Sequence, residues 1–161
     1  MSATVDLITT LEKLLELHKD LFESAVKKTE YIKVGDMDSL NQILKKEHAL
    51  VAEIGKLENE RMQVTKNILP NTENTTVTDC IEAASGEEKD QLIEVAHSLT
   101  AMALDLKERN FLNQQLIYQS LQFVNFSLSL LNPQPESINY GPPTGKRVGD
   151  LNLKGMFNSK A

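Results

Sequence analysis

Two long stretches without a helix breaker constrain this chain more than any other feature. Between Val5 and Val34 there is no Gly or Pro, and after Gly86 neither residue returns until Pro133. In the first stretch Ile8, Leu11, Leu15, His18, Phe22, Ala25, Thr29 and Ile32 recur at alternating three- and four-residue steps, and Leu7, Leu14 and Leu21 widen the stripe. That period belongs to an amphipathic helix, here about 30 residues and roughly 45 Å long. Gly35 suits the left-handed position that ends a helix, and Asp36 or Asp38 can cap the next one. The second helix is predicted from Met37 to Leu69, with Leu40, Ile43, Leu44, Leu50, Val51, Ile54, Leu57, Val64 and Ile68 facing inward. Gly55 inside it costs about 1 kcal/mol relative to Ala without breaking it. Pro70 disfavours helix at the residue before it and closes the element.

Residues 71–78, "NTENTTVT", read as a polar linker. A short helix can follow from Thr76, with Asp79 completing a variant capping box, and a clearer start lies at Ser85, three residues before Glu88. The third long helix then runs over 86–131, roughly 68 Å. The expected fold class is all-α: an antiparallel helical bundle or coiled coil of three long helices, near 5–34, 37–69 and 86–131, with a flexible C-terminal tail. Residues 1–131 are expected to form the bundle domain, and 132–161 a tail that folds on binding.

Two apolar stripes separate on the third helix when each residue is turned by 100°. The first runs its whole length, through Leu92, Val95, Ala96, Leu99, Met102 and Leu106, then Ile117, Leu121, Val124, Leu128 and Leu131. This is the face predicted to pack on the other two helices. The second occupies only the C-terminal half: Leu112, Leu116, Phe123, Phe126 and Leu130. The third helix should overhang the other two by roughly 20 Å, and the overhang is where both stripes occur. Apolar side chains on two faces need a cover, which a bent bundle, the chain's own tail or a partner chain can supply. The tail pairs breakers (Gly141, Pro142, Pro143, Gly145, Gly149, Gly155) with sticky residues, Tyr140, Val148, Leu151, Leu153, Met156 and Phe157. Such a segment is disordered alone and has something to bury on contact.

Composition narrows the function classes. Of 161 residues 40% are hydrophobic, enough for a core, and the net charge of -6 disfavours nucleic acid as a partner. One cysteine, Cys80, permits no intrachain disulfide and suits a reducing compartment. No signal peptide is read in "MSATVDLITTLEKLL", and no apolar run approaches the roughly 20 residues of a membrane span. The expected location is the cytoplasm. His18, His48 and His97 lie on different helices without metal-ligand spacing, His18 reading as a hydrogen-bonded core histidine. Cys80 has no second cysteine nearby and no activating base. No glycine-rich phosphate loop occurs. Carboxylates such as those in "EHALVAEIGKLENER" read as solvated helix faces. Asn110 and Asn113 interrupt the first stripe as a register-fixing polar layer. No catalytic residue, cofactor or metal is expected, and nothing argues for an enzyme.

Several local signatures fall in a familiar order: "LENER" closing on Arg61, then "RNFLNQQLIYQSLQFVNFSLSLLNP" with its Asn110-x-x-Asn113-x-x-Leu116 pattern, then Tyr140-Gly141, and "MFNSKA" at the end. In order and spacing the chain resembles the FlgN family of flagellar export chaperones, above all its members from Gram-positive bacteria. Asn158 stands where that pattern often has Asp. The resemblance implies a protein that holds the hook–filament junction proteins FlgK and FlgL in the cytoplasm, binds their C-terminal helical segments and passes them to the export apparatus. It implies client binding by the C-terminal region, here 112–131 and 139–161. A coiled-coil adaptor without a secretion client, and a homodimer whose seam is the second stripe, remain the rival readings.

Overall fold

The computed structural model describes residues 2–131, all of them helix or short connection: α1 (Ala3–Val34), α2 (Met37–Ile68), α3 (Val77–Ala83) and α4 (Gly86–Leu131). The expectations placed on 132–161 lie outside the described residues. The described residues are all-α, and α3 is the short helix that Thr76 announced.

Local chemistry sets the helix ends. Ser2 accepts the Val5 N–H at 3.1 Å and caps α1. Gly35 adopts φ 73°, the left-handed turn that only glycine enters without strain, and the next N–H, that of Asp36, donates to Tyr31 O. Asp36 then caps α2 by accepting from Ser39 N. Thr76 and Asp79 form a reciprocal capping box on α3. Hydrogen bonds from the Ser39 side chain and backbone lower the Asp36 pKa, and those from Thr76 do the same for Asp79. The stability these carboxylates contribute is complete above their ordinary pKa of 3.8 and is lost as the pH falls through the lowered folded value. Glu88 does something the sequence does not announce. Its carboxylate accepts from Ser2 Oγ at 3.1 Å and so ties the start of α4 to the start of α1.

The chain falls into two units, Met1–Arg109 and Asn110–Ala161. In the first, one apolar cluster gathers Leu7, Ile8, Leu11 and Leu14 of α1 with Cys80 of α3 and Leu92 and Val95 of α4; Ile54, Leu57, Val64 and Ile68 of α2 pack against it. A second joins Leu21 and Ala25 to Leu106, with Phe22, Leu50 and Ile54 around them. Early α1 therefore meets late α2, and α1 and the first half of α4 pair in matching order. Beyond the second cluster Arg109 sits 6.0 Å from the Phe22 ring centre and donates to Thr29 Oγ1. Lys28 and Glu47 form a largely buried ion pair at 3.0 Å between α1 and α2.

The burial pattern corrects three expectations. In α1 Ile8, Leu11, Ala25 and Thr29 of the predicted stripe are buried together with Leu7, Leu14 and Leu21, while Leu15, His18 and Phe22 are only half-buried. His18 is accordingly not a core residue, though its Nδ1 lies 2.7 Å from Leu14 O. In α2 Leu44 and Val51 are exposed, and in α4 Leu121, Val124, Leu128 and Leu131 of the first stripe are exposed as well. In α1 and α2 the physical cause is the same. A helical stripe wider than one seam leaves its flanks at the edge of the contact, and the sequence does not say which flank is nearer the neighbour.

Buried threonines are satisfied by their own helix, Thr10 Oγ1 on Asp6 O and Thr65 Oγ1 on Met62 O. Ser24 differs, since its hydroxyl oxygen is buried without a hydrogen-bond partner. Ser24→Ala removes an orphaned polar group and improves helix propensity. A gain of about 1 kcal/mol is expected, read as a rise of about 2–4 °C in the thermal midpoint. A lower midpoint would mean that the hydroxyl has a partner in solution.

Candidate partner-binding surface

The described part of the second unit, Asn110–Leu131, is helix throughout. Asn113 is its one buried residue, and Asn110 is half-buried. Of the polar layer read from the sequence, Asn113 is thus the least exposed side chain of this stretch, while Asn110 is half-buried as Leu116 and Ile117 are. Beyond it large apolar side chains stand in solvent. Phe123 is 70% exposed, Phe126 62% and Leu130 65%. Leu112 is exposed too, and Leu116 half-buried. These are the five helical residues singled out as partner-binding. The other five, Tyr140, Leu151, Leu153, Met156 and Phe157, lie outside the described residues.

Sequence reasoning missed part of this surface. Phe111, Tyr118, Leu121, Val124, Leu128 and Leu131 are exposed as well, so apolar side chains surround much of the helix. A signal was present: from Asn110 to Pro135 there is no Asp, Glu, Lys or Arg, in a chain where a quarter of the residues are charged. Helix surfaces meant for water are usually charged, so this gap marks a surface meant for something else. The polar residues between are Gln, Asn and Ser. Ser120 Oγ donates to Leu116 O at 2.9 Å and Ser129 Oγ to Phe126 O at 2.8 Å, so both hydroxyls can be covered without orphaning a donor.

Among the described residues no group of His, Cys, Asp and Glu could hold a metal ion. Cys80 is buried, and burial pushes its thiol pKa up, with the Asp79 charge adding and Arg61 opposing. A raised pKa is the reverse of what a nucleophilic cysteine needs. No helix among the described residues is long and apolar enough to cross a membrane.

Comparison with known proteins fits this picture. The family model described as FlgN protein matches residues 1–147. A protein of Bacillus subtilis (strain 168), described as uncharacterized protein YvyG, is 33% identical over 155 residues, covering 96% of this chain and 97% of that one. No solved structure matches.

Proposed function

Since this chain belongs to the FlgN family, a family of flagellar export chaperones, we propose that it binds and masks the C-terminal helical segments of FlgK- or FlgL-like hook–filament junction proteins before their secretion. The observation that carries this reading is the exposed apolar helix over 110–131. A client helix made to bury its apolar face in a filament aggregates if that face stays in water, and a helix-shaped apolar surface masks it without chemical energy. In this reading the helices form an antiparallel bundle, the protein works in the cytoplasm, and the export apparatus receives the loaded complex. Catalysis has no part in it.

Magnitudes support a composite site. Leu112, Leu116, Phe123, Phe126 and Leu130 at about 1.5–3 kcal/mol each give roughly 8–15 kcal/mol gross. Association costs about 4–15 kcal/mol, which leaves a weak to moderate complex from this stripe alone. We assign the second contact to the tail segment carrying Tyr140, Leu151, Leu153, Met156 and Phe157. A client C-terminal segment titrated against the full chain and against a chain lacking 139–161 tests both parts. The full chain is expected to bind, and the deletion to weaken binding about tenfold or more, worth about 1.4 kcal/mol, with the thermal midpoint unchanged. No binding by the full chain sinks the chaperone reading, and equal affinities sink the role of the tail.

A further inference from the structure

We infer that the helix over 110–131 selects an amphipathic α-helix whose apolar face is bordered by amide side chains and carries no charge, through contacts that salt does not weaken. The inference rests on the client-binding reading and names the chemistry of the partner.

The argument begins with the arrangement of the exposed side chains. Leu116, Phe123 and Leu130 are spaced by seven, and so are Ile117, Val124 and Leu131. Ser120 and Ser127, also seven apart, fall between these two columns on the helix. Two ridges of large side chains beside a row of small ones form the groove that accepts a helix by knobs-into-holes packing. A lipid surface imposes no seven-residue register. The columns leave Phe123, Val124, Leu130 and Leu131 exposed, and Leu116 and Ile117 half-buried. The Ser120 hydroxyl is already bonded to Leu116 O, so covering the groove breaks no hydrogen bond there.

Charge decides the kind of helix. With no Asp, Glu, Lys or Arg from Asn110 to Pro135, a charged side chain brought against this surface loses water and meets no counter-charge. An amide meets Gln119, which is exposed at the border of the Leu116–Phe123–Leu130 column and is both donor and acceptor, while Leu121 and Leu128 line the other border without charge. The surface thus excludes charged helix borders and accepts uncharged ones, which is specificity by penalty on the wrong partner.

Two designed peptides test this with the full chain. Both carry the same Leu face; one is bordered by Gln, the other by equal numbers of Glu and Lys. Gln, Glu and Lys have similar helix propensities, so helicity does not decide the outcome. The Gln-bordered peptide is expected to bind at least about tenfold tighter. Its affinity should change less than about twofold between about 0.05 M and 0.5 M NaCl, and Val124→Asp should abolish its binding without shifting the thermal midpoint. Equal affinities, a preference for the Glu/Lys peptide, loss of binding in high salt, or indifference to Val124→Asp overturns the inference. So does a stable dimer in sedimentation whose partner copy buries this face, or binding of the helix to phosphatidylcholine vesicles in place of the peptide. If junction-protein segments bind while the two peptides bind alike, the chaperone reading stands and this inference falls. If the Gln peptide wins while junction-protein segments do not bind, the reverse holds.

Discussion

Leu14→Asp is expected to leave the chain largely unfolded. Leu14 is 0% exposed and shares its cluster with Leu7, Leu11, Cys80 and Leu92, so three helices lose a common neighbour at once. Truncating a buried leucine alone costs about 2–5 kcal/mol. The aspartate adds an unpaired carboxylate or, if it takes up a proton, an unmatched polar group. Against a total stability of about 5–15 kcal/mol for a domain, a loss of at least about 4 kcal/mol removes most of the folded population or brings the midpoint down by tens of degrees. Leu104→Asp is the control. Leu104 lies on α4 but is 56% exposed, and a surface change of this kind stays within about 0.5 kcal/mol. Circular dichroism melts of the two variants check the pair. A Leu14→Asp midpoint within a few degrees of the parent would refute the core as described.

Phe123→Asp is expected to do the opposite, leaving the melt unchanged while binding collapses. Phe123 is 70% exposed and belongs to neither apolar cluster, so the folded chain loses almost nothing on its replacement. A bound client would cover the ring. The substitution then forfeits about 1.5–3 kcal/mol of burial and sets a carboxylate into a contact with no cation nearby. Together these correspond to a loss of about a hundredfold or more in affinity. Phe126→Asp should behave alike, because the ring is similarly exposed on the same unit. Calorimetric titration with a FlgK- or FlgL-like C-terminal segment, run beside thermal melts, separates the cases. If Phe123→Asp lowers the melting temperature as Leu14→Asp does, the ring belongs to a core and the surface has been misassigned.

The candidate surface was legible in part. Phe123, Phe126 and Leu130 stood apart as a second stripe, and all three are exposed. The exposure of Leu121, Val124 and Leu128 was not legible, because these residues continue in phase with Leu92, Val95 and Leu106, which are buried. Phase says that residues share a face. It does not say how far along a 46-residue helix that face has a neighbour.

The sequence by itself determined what depends on nearby residues. Helical apolar spacing specifies α1, α2 and α4, in α2 across the single Gly55; Gly35 at φ 73° and Asp36 specify the turn between the first two; the Thr76–Asp79 pair specifies the start of α3. Each of these rests on hydrogen bonds spanning about four residues, so the local text contains the whole interaction. The tertiary structure alone decided which flank of a stripe is dry. It set Leu7, Leu14 and Leu21 in the seam and Leu44 and Val51 outside it, and it paired Glu88 with Ser2. Those outcomes depend on side chains about 30 to 90 positions away, such as Ile54, Leu92 and Leu106. Burial is a relation between distant segments, and only the packed helices bring its second member to the place where the first one lies.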